Sequence, residues 1–196
     1  MIAFLSRIIA DFLCRKNAIP DDNKEICAYG YEVLFFNLLN ALLIFFLGIL
    51  LNKLIYSIVF FLIFAVLRQY CGGFHAKNTI VCTITYIISY LFIVLLAECD
   101  AISEIYTFSI CIIINIAFLG MIVLYAPIEN PNKTLDKFEK LKYKKISAYI
   151  SILIVIISII AYYINIHLSA VITLTLFVIM IMMFVGLHDR KEEKKT

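Results

Sequence analysis

Six apolar runs joined by short polar connections constrain this chain more than any other feature of its sequence. They cover Val33 to Leu51, Leu54 to Leu67, Ile80 to Ala97, Ile105 to Ala126, Ile146 to Ile164 and Leu168 to Val185. A helix needs about 20 apolar residues to cross a hydrocarbon layer roughly 30 Å thick. With 196 residues, 64% of them apolar and 16% charged, there is room for one such bundle and no second folded domain. An ordinary soluble domain, a disordered chain and a collagen-like repeat are all excluded. The expectation is an all-α integral membrane protein of about six transmembrane helices, forming a single membrane domain over 1–196 with the bundle at 33–185. The second run holds only 14 residues between Lys53 and Arg68. That is short for a span, so four spans with re-entrant pieces also fit.

Charge distribution sets the orientation. The net charge of +3 is too small to argue for nucleic acid, but Lys and Arg are unevenly placed among the connections. Four precede the first run, two lie at Arg68 and Lys77, six in Pro127 to Lys145 and four after Val185, against Lys53 alone on the other side. By the positive-inside rule this tally of sixteen to one predicts a multi-pass cell-membrane protein with both termini cytoplasmic and a basic tail over 186–196.

Residues 1–16 do not read as a secretion signal, because Arg7 and Asp11 interrupt the apolar run and no small-residue cleavage site follows. Ile2, Leu5, Ile9, Phe12 and Leu13 recur at helical spacing. They predict an amphipathic helix, lying either in the inner membrane interface or on the bundle's own cytoplasmic face. After Pro127 and Asn130-Pro131-Asn132, the row Leu135, Phe138 and Leu141 runs among Lys137, Lys140, Lys142, Lys144 and Lys145. A short interfacial helix is expected here. Its lysines serve either as a topology determinant or as a contact for an acidic peptide or anionic lipid.

One connection differs from the rest in chemistry: Arg68-Gln69-Tyr70-Cys71-Gly72-Gly73-Phe74-His75-Ala76-Lys77-Asn78-Thr79, leading to Cys82. It brings together a cation, a base and a nucleophile around two glycines, which permit positive φ and close approach. A folded loop is therefore expected in place of a continuous helix. His75 and Cys82 on one straight helix would be separated by about 10.5 Å of rise, too far for a hydrogen bond. If Asn78 or Thr79 caps the third span, Cys82 falls in its first turn and His75 on a loop free to fold back. A helix N-terminus and an imidazolium would both stabilise a thiolate there. Thiolate and His are the parts of a cysteine peptidase. The other readings are a packed apolar Cys and a zinc site of Cys71, His75 and Cys82, whose spacing matches no common zinc pattern. His167 and His188 sit at interfaces as solvated residues. Cys14, Cys27, Cys99 and Cys111 suggest no stable disulfide, and no acid lies well inside a span, which argues against a proton-coupled transporter.

Arg68 followed by Gly72-Gly73-Phe74-His75-Ala76 and then Cys82 resembles the accessory gene regulator B (AgrB) family of Gram-positive quorum-sensing peptidases. The resemblance extends over most of the chain: its length, amphipathic start, several spans and basic loop. It implies a membrane cysteine endopeptidase that removes the C-terminal tail of an AgrD-like pro-peptide and promotes cyclisation to a thiolactone or lactone. In that reading Cys82 is the nucleophile and His75 the general base and acid. Arg68, Gly72 and Gly73 shape the site, with Gln69 a third-residue candidate by type only. Lys137, Lys140 and Lys144 would meet the acidic recognition segment of the substrate. No metal or other cofactor is called for. The partners are the pro-peptide and the lipid bilayer, and a homodimer is compatible with the bundle. The competing expectation is a non-enzymatic small transporter or peptide-binding chaperone in which the glycine segment is merely a tight turn.

Overall fold

The computed structural model describes residues 2–16, 18–72, 79–99, 105–128 and 136–193. Among them the chain is all-α: α1 (Ile2–Arg15), α2 (Lys24–Leu50), α3 (Leu54–Cys71), α4 (Thr79–Ala97), α5 (Phe108–Tyr125), α6 (Lys137–Ile164) and α7 (Ile166–Glu193). Six of these helices, α2 to α7, are long and apolar enough to cross a membrane, as a multi-pass membrane protein requires. The helices divide into two compact units, Met1–Phe46 and Leu47–Thr196.

Within the first unit, α1 turns its small residues inward. Ser6 and Ala10 are buried, whereas Phe4 (67% exposed), Leu5, Ile8 and Phe12 face out. Leu5 and Phe12, expected on a common apolar face with Ile9 and Leu13, are thus on the outward side. Lys24 at the start of α2 pairs with Asp11 at 2.6 Å, and this bond holds the Asp11 carboxyl below its usual range.

The second unit is organised around α7, which packs against α3, α4, α5 and α6. Ser and Thr side chains let these helices approach while keeping their hydroxyls bonded, as lipid surroundings demand. Tyr106, just before α5, bonds Ser169 and Thr173 of α7, each at 2.9 Å. Asn115 donates to Cys111 and to Ser158 of α6, both at 3.3 Å, and Ser158 bonds Thr173 at 2.9 Å. This buried polar cluster joins three helices. At the same end of the bundle Lys53 pairs with Glu98 at 2.5 Å. Burial pushes the Glu98 carboxyl up, but hydrogen bonds from Lys53 and Tyr56 outweigh it and hold the group below its ordinary value. His167, expected to be solvated, instead has Nδ1 bonded to the Ala97 carbonyl at 2.7 Å.

Two expected boundaries are corrected. The second span does not stop before Arg68: α3 is 18 residues long and runs to Cys71, about 27 Å at 1.5 Å per residue. A membrane helix can keep this arginine because the guanidinium lies over the Phe64 ring, 5.4 Å from its centre, and donates to Met182 Sδ at 3.3 Å. The lysine segment is not a separate interfacial helix, since Lys137–Ile164 is one helix of 28 residues. It is fixed at its start by Glu139, which accepts the Asp136 N–H at 3.2 Å. At its C-terminal end α7 continues past residue 186 to Glu193.

Candidate functional site

The site starts from the way α3 ends. Gly72 has φ +72° and ψ −151°, a combination that L side chains scarcely adopt. It permits a close crossing by a later segment: Ile128 N–H donates to the Cys71 carbonyl at 2.8 Å and Gly72 bridges to Ile128. A Cβ on Gly72 would collide with the Ile128 carbonyl. The expectation of a glycine-dependent turn is met here at Gly72. Gly73 and His75 lie outside the described residues.

The chain resumes as helix at Thr79, so Cys82 stands in the first turn of α4, as the capping argument anticipated. Cys82 is half-buried. At about 100° per residue it opens the inward row of α4 that Tyr86, Tyr90 and Ile93 continue, all of them buried. Across from this row, Arg68 is half-buried in the last turn of α3, joined to it through Phe64, whose ring meets both the guanidinium and Tyr86. Below lies an aromatic tier: Phe64 meets Tyr86 edge-on at 4.9 Å, Phe60 meets Tyr86 at 5.2 Å and Tyr90 at 5.4 Å. Tyr90 closes it with a 2.6 Å bond to Ser57.

Not all the expected residues converge. Gln69 is exposed, roughly 100° round α3 from Arg68, and so does not face Cys82 with it. Cys71 is fully buried, packed as a small hydrophobe. Among the described residues no three His, Cys, Asp or Glu side chains gather as a metal site would need. Lys137, Lys140 and Lys144 fall within an arc of about 60° on α6, the arc that Ser147, Ser151 and Ser158 continue inside the bundle. The last three are buried, while Lys137 and Lys144 are exposed and Lys140 half-buried. Next to this arc Tyr143 meets Tyr70 of α3 at 5.6 Å, so the lysine row and the end of α3 share one end of the bundle. Tyr86, Phe64 and Met182 were not singled out in the sequence. The available signal was the four-residue step from Cys82 to Tyr86.

Comparison with known proteins agrees with this segment's resemblance. The family profile described as Accessory gene regulator B matches residues 6–185. An AgrB-like protein of Clostridium perfringens strain SM101 is 30% identical over 171 residues, covering 83% of this chain and 79% of the relative. A second AgrB-like protein, from Clostridium perfringens strain 13, is 28% identical over the same shares. The Accessory gene regulator protein B of Staphylococcus intermedius is 26% identical over 62% of this chain and 63% of its own. No solved structure matches significantly. A match that reaches from α1 into α7 and takes in Arg68, Gly72 and Cys82 on the way makes this chain a member of the accessory gene regulator B family.

Proposed function

We propose that the protein is a membrane-embedded cysteine endopeptidase that processes an AgrD-like pro-peptide into a cyclic autoinducing peptide. The observation that carries this reading is the position of Cys82, half-buried in the first turn of α4 on the row that continues to Tyr86, whose neighbour Phe64 carries the Arg68 guanidinium. His75 belongs to the segment of only seven residues between Cys71 and Thr79. Its tether is therefore short enough to bring an imidazole back over the sulfur.

In the reaction, Cys82 Sγ attacks the carbonyl of the scissile peptide bond as His75 takes the thiol proton. The carbonyl becomes an oxyanion, which the Arg68 cation would stabilise. His75 then returns the proton to the leaving amine, the C–N bond breaks and the acidic tail departs. A thioester remains on Cys82. A thiol within the peptide attacks it, closing a thiolactone and restoring the Cys82 thiol, with a hydroxyl giving a lactone instead. Transfer from one thiol to another is nearly isoenergetic, and the surrounding apolar helices disfavour loss to water. Lys137, Lys140 and Lys144 offer a row of positive charge to the acidic segment before cleavage. The substrate is made in the cytoplasm, so the basic-residue tally and the proposed chemistry require the same face, with both termini on it.

The test is co-expression with an AgrD-like pro-peptide, with mass spectrometry of the peptide products. Wild-type protein should give cleaved, cyclised peptide. Cys82→Ala and His75→Ala should insert normally and give none, while Cys71→Ala stays active. Turnover by purified Cys82→Ala protein would refute the mechanism. Loss of activity in Cys71→Ala with recovery on adding zinc would favour the metal reading.

A further inference from the structure

The first turns of α6 carry five lysines within residues 137–145, and most of that stretch is exposed. Even its apolar residues are outside, Phe138 at 82% and Leu141 at 60%. Only Lys140 and Tyr143 are half-buried there. Tyr143 meets Tyr70 edge-on, with centroids 5.6 Å apart and ring planes at 72°, a favoured geometry for an aromatic pair. Tyr70 lies in the last turn of α3. The chain that approaches α6 holds the same turn, because Ile128 N–H donates to the Cys71 carbonyl at 2.8 Å. The entry to α6 and α6 itself therefore both grip the end of α3. Ser147, one turn on from Tyr143, is fully buried, so Tyr143 stands where α6 passes from the bundle into its exposed lysine turns. Terminal turns with few packed neighbours fray readily, and a side contact at this point opposes the fraying.

We propose that Tyr143 and Tyr70 form a clasp that fixes the lysine row relative to the end of α3, making Tyr143 a positioning residue for the acidic segment of the pro-peptide. Charges with a fixed place bind a partner better than the same charges on a fraying helix, since no ordering is left to be done on encounter. The use of the row in substrate binding rests on the endopeptidase reading; the clasp and its hold on α6 do not.

Purified full-length protein in lipid nanodiscs tests both parts. Hydrogen exchange with mass spectrometry follows the amides of residues 141–147 in wild type, Tyr143→Leu, Tyr70→Leu, the double variant and Tyr143→Phe. An aromatic pair of this kind shifts a local equilibrium about three- to ten-fold. Each leucine variant should exchange faster by about that factor, the double variant no faster than the quicker single one, and Tyr143→Phe, which keeps the ring, at the wild-type rate. Wild-type exchange in the leucine variants, effects that multiply in the double variant, or a phenylalanine variant as fast as the leucine one overturns the proposal. In pro-peptide cleavage, Tyr143→Leu should raise KM about three-fold at unchanged kcat. Reversing Lys137, Lys140 and Lys144 to Glu should then raise KM by a smaller factor in Tyr143→Leu than in the wild-type background, and equal factors overturn the positioning role. A protein that follows the exchange pattern but cleaves no peptide refutes the endopeptidase reading and leaves the clasp standing.

Discussion

Replacing Gly72 with alanine puts a methyl group where the backbone and a neighbouring segment both forbid one. At φ +72° and ψ −151° the conformation is accessible essentially to glycine alone, and a residue with a Cβ held there costs about 1–3 kcal/mol. The new Cβ would also run into the Ile128 carbonyl, so the crossing must open. Its 2.8 Å bond from Ile128 to Cys71 would be weakened or lost, at about 1 kcal/mol. The sum is about 3 kcal/mol. For a chain of this size it corresponds to a fall in Tm of roughly 6–12 °C. The protein supplies its own probe, because Cys71 and Cys111 are buried free thiols that react with a fluorogenic maleimide only on unfolding. Melting in detergent with this dye measures the shift. Gly120→Ala is the control: its Cβ would meet nothing within 4 Å, so Tm should hold or rise slightly. A Gly72→Ala protein melting within about 2 °C of wild type would refute the argument from conformation and collision.

Three further outcomes are expected. Reversing Lys137, Lys140 and Lys144 to Glu should raise the KM for the pro-peptide and flatten its dependence on ionic strength, since the screening length is about 8 Å at physiological salt; unchanged kinetics in a correctly inserted variant would reduce the lysines to topology determinants. With an impermeant maleimide on intact cells, the exposed Cys99 should label, whereas a cysteine replacing Lys133 or Lys194 should not, and the reverse pattern would invert the proposed orientation. Thr173→Val, which strips one hydroxyl from Tyr106, Ser158 and Cys111 together, should cost about 1–2 kcal/mol in the same melt, but Asn115→Leu should cost less than about 1 kcal/mol because it also removes a buried Oδ1 with no partner.

The spans were legible because hydrocarbon imposes length and apolarity on any crossing helix, and Thr79–Ala97 begins one residue before the run that predicts it. Arg68 was misread as a terminator. Its accommodation depends on Met182, 114 residues away, and on the face of Phe64, and hydropathy along the chain carries neither. The lysines of α6 hid its continuity in the same way. Among the candidate site residues, the placement of Cys82 and the turn at Gly72 were recoverable from local chemistry, the first from the start of a helix and the second from the need for positive φ. Tyr86 was not, because tyrosines are common in these spans and only the fold brings this one to the ring that Arg68 also uses. The cluster around Cys111 escaped notice for a similar reason. Isolated hydroxyls in apolar runs gain meaning only when three helices converge on them.

The unbroken course of α6 makes it a gauge of both height and heading. Its 28 residues extend about 42 Å, roughly 12 Å more than the hydrocarbon layer takes. The turns that bear the lysines are therefore a stiff extension of a transmembrane rod. Adding one alanine where the charged turns meet the apolar stretch would swing the lysine row about 100° around the rod and aim it away from the end of α3. Adding seven would return the row close to its original bearing but raise it about 10.5 Å. The reach of the charged arm is thus graduated in single residues, and relatives that differ by an insertion there would carry their charge at another angle or another depth.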